Sequence, residues 1–281
     1  MIESDTKARI YRYYRKPESR LGYTFVSWDA KHFAYYPDPK VNIGEKNAQI
    51  AYHKKIAECL SLQGGERILD AGCGRGVVAC YLAKTYPVEV VGIDIVDFEI
   101  ESARKRALAH GVPASFVVMD YSEVGFPGGS FDALYANETL SHAPDLKKVF
   151  SEFFRVLKPG SRFAFFEYVL GDDGQLSDSS LRNLDWIIEH SGMFGLKQFR
   201  QGNIEVLLSE TGFDDIKVEN ITEHIKPSFE RFNRLARSLY PFIKLLHLKN
   251  QFVNVVSAVE LYPMAKQGFI SFYIYTGKKP N

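Results

Sequence analysis

The chain has 281 residues, of which 46% are hydrophobic and 14% aromatic, and 35 basic residues nearly balance 34 acidic ones. This composition indicates a globular protein with a substantial core, and the even charge argues against a nucleic-acid partner. No apolar stretch approaches the roughly 20 residues of a membrane span, and the N-terminus lacks a signal-peptide pattern. Three cysteines without CxxC spacing indicate neither a disulfide framework nor a metal site. We therefore expect a cytoplasmic protein without a membrane span or a bound metal.

Short β-rich runs alternate with helical stretches from residue 66 onward, which is typical of a parallel sheet with crossover helices. The pattern predicts strands at 67–70, 89–94, 115–119, 131–135, 162–169, 216–221 and 269–276. It predicts helices at 77–84, 98–110, 146–157 and 204–210, and helical structure within 227–262. Residues 1–60 precede this alternation and are dense in aromatic residues. We expect them, like 227–262, to cover the open end of the sheet.

A glycine-rich segment joins the first predicted strand to the first predicted helix. Asp70 ends the strand, and Gly72, Gly74 and Gly76 follow at GxGxG spacing. Such glycines let the backbone turn sharply and bring amides and a helix N-terminus close to a ligand. Asp94 ends the next strand, where a carboxylate can accept hydrogen bonds from both ribose hydroxyls of a nucleoside. These features predict a nucleoside-containing cofactor, with a purely structural turn as the alternative.

The residues around this loop narrow the class of cofactor. Asp70 would repel the pyrophosphate of a dinucleotide, whereas it suits a cationic ligand, and the arrangement resembles motif I of the class I S-adenosylmethionine-dependent methyltransferases. Later motifs of that family follow in order, with Asp94 as the ribose-binding acid, 119–121 at the adenine edge, 131–135 as the fourth strand and 155–160 before the fifth. The resemblance implies that S-adenosylmethionine binds, and S-adenosylhomocysteine leaves, at the following residues: Asp70, Gly72, Gly74, Gly76, Asp94, Ile95, Asp120, Tyr121 and Asn137.

Three further stretches resemble the C-methyltransferases that alkylate the side chain of sterols, a branch related to enzymes that methylate prenyl and terpenoid compounds. Residues 138–146 (ETLSHAPDL) resemble their EATCHAPDL stretch, 165–170 resemble their YEWVM stretch with Tyr168 in place of Trp, and 270–280 resemble their C-terminal end. Residues 22–28 echo their aromatic YEYGW block only loosely.

The resemblance to these enzymes implies an α/β, Rossmann-like fold with a seven-stranded sheet whose last strand is antiparallel. An aromatic-rich helical cover over 1–60 would precede a methyltransferase domain over 61–281, and a helical cap insertion over 227–262 would help to enclose the acceptor.

The implied reaction is methyl transfer to an alkene carbon of a lipophilic isoprenoid acceptor, which is a prenylated or terpenoid natural product, a prenyl diphosphate or a sterol. The reaction would pass through a carbocation, with cyclisation as an option, and would end by deprotonation. Aromatic faces attract cations, so the expected walls of the acceptor pocket are Tyr14, Trp28, Phe33, Tyr35, Tyr36 and Tyr168. The catalytic candidates are Glu167 and Glu138 for electrostatic stabilisation, His142 for proton removal, and Tyr23.

Two other functions remain open on the sequence. One is O- or N-methylation of a small molecule with His142 as the general base. The other is a catalytically silent cofactor-binding scaffold that acts through an oligomer interface formed by the aromatic N-terminus, a segment that is also a candidate for exchange between protomers. The candidate side chains have ordinary structural alternatives too, such as packing for the aromatics and an ion pair for Glu167.

Overall fold

The computed structural model describes residues 2–281, with side chains described from residue 6 onward. The strands are β1 (Arg67–Ala71), β2 (Glu89–Asp94), β3 (Ala114–Val118), β4 (Phe131–Asn137), β5 (Leu157–Leu170), β6 (Asp214–Asn220) and β7 (Ile270–Lys278). The helices are α1 (Ile2–Arg15), α2 (Pro17–Ser27), α3 (Glu45–Cys59), α4 (Val77–Thr85), α5 (Asp97–His110), α6 (Leu146–Val156), α7 (Asp178–Ser191), α8 (Asn203–Thr211), α9 (Thr222–Leu245) and α10 (Val253–Lys266). Across this described range, no helix has both the length and the apolar character needed to cross a bilayer.

All seven strands belong to one sheet with the order β3-β2-β1-β4-β5-β7-β6. Strands β1 to β5 run parallel, and β7 runs antiparallel to both of its neighbours, β5 and β6. This confirms the predicted seven-stranded sheet with an antiparallel last strand. The chain order reverses between β1 and β4, and open α/β sheets bind ligands at the carboxyl ends of the strands beside such a reversal.

Helices cover both faces of the parallel strands, so successive residues of β1 are buried on opposite faces of the sheet. On one face Ile68 of β1 joins a core formed with α3, α4 and α5. On the other face its neighbour Leu69 joins a second core formed with α6 and α8. The two layers hold the carboxyl ends of β1, β2 and β4 in fixed positions, and the loops that follow these strands build the site.

The helical prediction was incomplete between β5 and α8. Helix α7 was not predicted, although its buried residues Leu184, Ile187, Ile188 and Ser191 follow helical spacing and the hydroxyl of Ser177 accepts a hydrogen bond from the amide of Ser180 at its start. Both signals are readable in the sequence. The predicted helical stretch at 227–262 consists of α9 and α10, which together extend beyond it at both ends.

The N-terminal helices are tied directly to the C-terminal ones. The carboxylate of Glu18, in α2, accepts hydrogen bonds from the amides of Asn254 and Val255 at 2.9 and 2.8 Å. These amides lie in the first turn of α10 and have no partner within that helix, so the carboxylate satisfies them as a cap would. The contact fixes α2 against α10, and the larger of the two cavities described below lies between them.

Candidate active site

A cavity of about 290 Å³ lies at the carboxyl ends of β1, β2 and β4. Its lining includes glycines of the loop after β1, several carboxylate side chains and residues of α1. All but one of the predicted cofactor residues line it, namely Asp70, Gly72, Gly74, Asp94, Ile95, Asp120, Tyr121 and Asn137. The sheet therefore brings together residues that are up to 67 positions apart in the sequence.

Two glycines of the loop after β1 have different roles. At Gly72 the backbone has a φ of +82°, and a Cβ atom would lie 2.2 Å from the hydroxyl oxygen of Thr139. Gly76 is the predicted cofactor residue that does not line the cavity. A Cβ there would lie 2.6 Å from the ring of Phe116, so this glycine allows the start of α4 to pack closely on β3.

The carboxylate of Asp94 is held in place by backbone amides. Each of its oxygens accepts one hydrogen bond, from the amide of Gly74 or from that of Val96, both at 2.9 Å. An ionised carboxylate has about four acceptor positions, so both oxygens can accept further bonds from a ligand. Burial raises the pKa of Asp94, and it also raises the pKa of Asp70 to about 7. The cavity is thus an environment in which a cationic ligand stabilises the ionised carboxylates.

The opposite wall of this cavity is formed by the loop after β3 and by α1. Asp120 pairs with the ammonium of Lys7 at 2.7 Å and accepts a hydrogen bond from the amide of Ser122. The hydroxyl of Tyr121 donates to the backbone oxygen of Thr139 at 3.0 Å. These contacts connect the loops after β3 and β4 to the N-terminal helix.

A second cavity, of about 530 Å³, adjoins the first and is lined mainly by hydrophobic and aromatic side chains from α2, α7, α9, α10, β5 and β7. Phe33 forms part of its wall, and its ring lies 5.3 Å from the ring centres of Phe229, Phe232 and Phe272. The volume falls in the range of about 300–1,000 Å³ that is usual for small-molecule sites. The two cavities share three lining residues: Lys31, His32 and Glu138.

Glu138 is the carboxylate common to both cavities. It follows β4 directly with a backbone φ of +49°, a conformation that costs a non-glycine residue about 1–2 kcal/mol. One carboxylate oxygen accepts a hydrogen bond from the amide of Phe33 at 3.0 Å, and the other accepts one from the hydroxyl of Tyr168 at 2.9 Å. Burial raises the pKa of Glu138 to about 8. Its carboxyl group is therefore fixed between the cavities and can exchange a proton near neutral pH.

His142 lines the first cavity as a neutral imidazole. Its Nδ1 lies 3.0 Å from the backbone oxygen of Gly192, which requires a proton on Nδ1, and its Nε2 lies 2.9 Å from the hydroxyl of Tyr14. In this tautomer Nε2 accepts the hydrogen bond from Tyr14. Burial lowers the pKa of His142 to about 4. The lone pair that a general base would use is already engaged.

Glu167 lines neither cavity. Its side chain is buried behind β5, where one oxygen accepts hydrogen bonds from the amides of Leu140 and Ser141. Burial raises the pKa of Glu167 to about 7. The expected electrostatic role beside an acceptor does not fit this position, because the carboxyl group instead holds the short turn Leu140–His142.

Comparison with known proteins agrees with this geometry. The family model "Methyltransferase domain" matches residues 69–165. An S-adenosyl-L-methionine-dependent Diels-Alderase of Talaromyces variabilis is 33% identical over 99% of this chain and 97% of its own length. The chain belongs to the class I S-adenosylmethionine-dependent methyltransferases.

Two further similarities extend the comparison. The sterol 24-C-methyltransferase of Aspergillus fumigatus is 37% identical over 57% of this chain, and the match spans 46% of that enzyme's length. The crystal structure of the [4+2]-cyclase SpnF has a TM-score of 0.72 at 21% identity and covers 93% of this chain and 94% of its own. The methyltransferase is thus related to the isoprenoid C-methyltransferases, and it shares its fold with SpnF.

Family membership assigns S-adenosylmethionine as the cofactor, and the residues of the first cavity fit it. Gly72 and Gly74 line the cavity with backbone alone, Asp94 offers two fixed acceptor oxygens for a ribose, and Asp70 is a buried carboxylate suited to a positive charge. We therefore call the first cavity the cofactor cavity and the second the acceptor cavity.

The aromatic residues predicted to form the acceptor pocket separate into three groups in the methyltransferase. Phe33 and Tyr168 line the acceptor cavity, and so does Tyr23, which was predicted as a catalytic candidate. Tyr14 instead lines the cofactor cavity, where its ring faces the ammonium of Lys31 at 4.4 Å. The remaining three, Trp28, Tyr35 and Tyr36, lie outside both cavities.

Each of these three residues has a structural role that explains the difference. Trp28 follows α2 in the left-handed conformation, and 49% of it is exposed. Tyr35 stacks on the ring of His224 with 4.8 Å between ring centres. Tyr36 is buried and donates from its hydroxyl to Glu45 at 3.0 Å. Aromatic density in the sequence therefore did not separate packing residues from pocket residues.

Sequence reasoning also missed residues that line or support the site. Lys31, beside the predicted Phe33, lies between the cavities and pairs with Glu99 at 2.6 Å, and Arg75 pairs with the other oxygen of that carboxylate at 3.1 Å. Tyr52 donates from its hydroxyl to the side-chain oxygen of Asn137 at 2.7 Å. No local pattern marks these residues, because their partners come from distant segments of the sequence.

Proposed function

We propose that this methyltransferase transfers a methyl group to an alkene carbon of a lipophilic isoprenoid acceptor. The observation that carries the proposal is the position of Glu138, whose buried carboxyl group lines both the cofactor cavity and the aromatic-walled acceptor cavity. A reaction that creates a positive charge and then releases a proton needs an anion at this boundary. The similarity to a sterol 24-C-methyltransferase supports the same class of acceptor.

The acceptor cavity suits an alkene that becomes positively charged. When bound, S-adenosylmethionine supplies a methyl group on a positively charged sulfur, which keeps the electron pair of the broken carbon–sulfur bond. The alkene's π electrons form the new carbon–carbon bond, and a positive charge remains on the neighbouring carbon. Phe33 and Tyr168 present aromatic rings to the acceptor cavity, and such rings attract cations by roughly 0.5–2 kcal/mol.

Glu138 then accepts the proton that ends the reaction. Its pKa of about 8 leaves it largely protonated when no cationic cofactor is bound. A cation in that adjoining cavity lowers the pKa of a nearby carboxyl group, so cofactor binding favours the ionised form. The proton leaves a carbon next to the charged one, the C–H electron pair becomes an alkene, and the carboxylate takes the proton. Tyr168 keeps the second oxygen oriented by its hydrogen bond.

A second candidate function is [4+2] cyclisation of a polyene acceptor. The observation that favours it is that the relative matched over 99% of this chain is a Diels-Alderase. In such a step two π bonds become two σ bonds within the acceptor, no group leaves and no proton moves. Glu138 would then have no proton to accept, and the cofactor would not be consumed.

The O- or N-methylation alternative has weaker support. It assigns proton removal to His142, but Nε2 of this residue already accepts a hydrogen bond from the hydroxyl of Tyr14. Burial also lowers the pKa of the imidazole to about 4. A base for hydroxyl or amine groups works best with a pKa near the operating pH. Glu138 meets that condition, and it faces an apolar cavity that favours lipophilic acceptors.

Product analysis tests these functions directly. The protein is incubated with methyl-deuterated S-adenosylmethionine and separate pools of sterols, prenyl diphosphates, prenylated small molecules, linear polyenes, and polar amines or phenols, and the products are analysed by mass spectrometry and NMR. Deuterated methyl on a carbon of an isoprenoid is the expected result. An unlabelled isomer of a polyene, formed while the cofactor stays intact, would replace the first proposal with cyclisation. Label on oxygen or nitrogen would contradict both.

A further inference from the structure

The second half of α9 exposes an apolar stripe. Leu235, Leu239 and Phe242 of α9 and Leu246, directly after its last residue, are separated by four, three and four residues, a spacing that places them on one side of the helix, and they are 47–65% exposed. Leu245 adds to the same end of the helix and is 75% exposed. A contiguous apolar surface of this kind usually marks an interaction site.

This stripe lies at the mouth of the acceptor cavity. Leu235 and Leu239 are exposed and also line the cavity, and so does Leu21 of α2, which is 58% exposed. Residues that are both exposed and part of a cavity wall mark where the cavity opens. We call Leu21, Leu235, Leu239, Phe242, Leu245 and Leu246 the mouth rim.

The segment that carries most of the mouth rim is also strongly basic. Residues 231–259 contain five Lys or Arg side chains and no Asp or Glu, although the whole protein has a net charge of only +1. Arg234, Arg237 and Lys244 are exposed along the same half of α9, and helical spacing places Arg237 and Lys244 on the side of the helix opposite the apolar stripe. A helix face rich in Leu and Phe, with Lys or Arg on the polar face, is typical of helices that lie in the interface of an anionic membrane.

We propose that the mouth rim docks on the surface of a bilayer that contains anionic lipids. The apolar side chains would enter the headgroup region, the basic side chains of α9 would contact lipid phosphates, and the acceptor cavity would open toward the hydrocarbon. This inference rests on the proposed function for its purpose, because a lipophilic acceptor is concentrated in the bilayer. The docking itself depends only on the exposed face.

Vesicle sedimentation tests the docking without acceptor or cofactor. We expect the protein to bind vesicles of phosphatidylcholine with 30% phosphatidylserine at least tenfold more tightly than vesicles of phosphatidylcholine alone, and to lose binding in high salt. The triple variant Phe242→Ser/Leu245→Ser/Leu246→Ser removes rim residues that do not line the cavity, and we expect at least a tenfold loss of binding. Leu108→Ser/Val206→Ser removes two exposed apolar side chains elsewhere and should bind as the unchanged protein does.

A charge variant separates the two parts of the docking surface. In Arg234→Gln/Arg237→Gln/Lys244→Gln, the preference for phosphatidylserine should fall several-fold while the thermal unfolding midpoint stays the same. The proposal is overturned if the unchanged protein binds neither kind of vesicle, or if the triple variant binds as well as the Leu108→Ser/Val206→Ser control. It is also overturned if sizing with light scattering finds a dimer that only the triple variant abolishes. Because vesicle binding needs no turnover, a failure here is distinguishable from a failure of the proposed reaction.

Discussion

The cofactor and acceptor cavities share a wall but are built in different ways. The cofactor cavity is formed by loops that follow strands of the sheet, and backbone amides fix its main carboxylate, Asp94. The acceptor cavity is formed mostly by side chains of α2, α7, α9 and α10, which lie outside the parallel strands. Binding at the first should therefore depend on a few polar atoms in set positions. Catalysis at the second should depend on shape, on aromatic faces and on the one carboxyl group at the boundary.

The largest expected effect is the loss of cofactor binding in Asp94→Ala. Each hydrogen bond from a ribose hydroxyl to an ionised carboxylate contributes about 1.5–3 kcal/mol, so losing two should raise the Kd for S-adenosylmethionine by about a hundredfold or more. Titration calorimetry measures this change. Asp178→Ala, at the start of α7, provides a control that should leave the Kd unchanged. A Kd for Asp94→Ala within about threefold of the unchanged protein would contradict the assigned cofactor site.

The boundary between the cavities is tested by Glu138→Gln. A glutamine has a similar shape and can still accept a hydrogen bond from the amide of Phe33, but it cannot take up a proton. We therefore expect turnover to fall by about a hundredfold. The Kd for S-adenosylmethionine should change by less than about threefold. Single-turnover kinetics and calorimetry measure the two quantities separately.

Glu167→Gln is the matched control for that variant. The same oxygen accepts both amide hydrogen bonds, and a glutamine oxygen can do so too, so turnover should stay within about threefold. A large loss in Glu167→Gln together with normal turnover in Glu138→Gln would reverse the roles proposed for these residues. Normal turnover in both would favour cyclisation, which needs no base.

The sequence predicted the cofactor cavity well because its residues follow strands. The end of a parallel strand and the loop after it are adjacent in sequence, so the strand pattern placed Gly72, Gly74 and Asp94 at one sheet edge, where they line the cavity, while Ile95 came from the family resemblance. Gly76 shows the limit of this reasoning. A glycine in the motif can serve helix packing and a left-handed backbone, here with a φ of +66°, without lining the cavity, and the distance to the Phe116 ring reveals the packing role.

The acceptor cavity was predicted less completely because its walls come from segments far apart in the sequence. Phe33 meets Phe229 and Phe272 across about 200 or more intervening positions, and no spacing rule connects them. Two glutamates near the ends of neighbouring strands also looked equivalent in sequence. Their difference depends on which way each side chain points, toward the cavities for Glu138 and into the core for Glu167.

A smaller effect is expected from pH, through Asp70 in the cofactor cavity. Burial raises the pKa of this carboxyl group to about 7, so it is neutral in acid and ionised above that value. Its raised pKa means that the free energy of unfolding falls as the pH rises from about 4 to about 7, whereas attraction for a cationic ligand grows as the carboxyl group ionises.

Calorimetry at two pH values measures this effect. Between about pH 6 and pH 7.5 the α-ammonium of the cofactor stays largely protonated, and a carboxyl group with a pKa near 7 becomes about eightfold more ionised. We expect the affinity for S-adenosylmethionine to rise by up to that factor and the rise to be smaller in Asp70→Asn. The remaining pH dependence should come from Glu138 and Asp94, whose pKa values are also raised. An unchanged pH dependence in Asp70→Asn would show that Asp70 does not interact electrostatically with the ligand.

The smallest expected effect concerns the aromatic wall. Phe33→Leu keeps an apolar side chain of nearly the same volume but removes the ring, so a cation in the acceptor cavity loses roughly 1 kcal/mol of stabilisation and turnover falls about fivefold. Trp28→Leu removes an aromatic residue outside both cavities and should leave turnover unchanged.

The electronic effect of the Phe33 ring can be separated from its packing with Phe33→Tyr and with ring-fluorinated phenylalanine at position 33. Fluorination weakens the negative face of the ring at nearly constant shape. A rate that falls with each added fluorine supports a cationic intermediate beside Phe33. If turnover is the same with every fluorinated ring but falls in Phe33→Leu, Phe33 contributes only to the shape of the cavity. That result is the one expected for a cyclisation, which forms no cation.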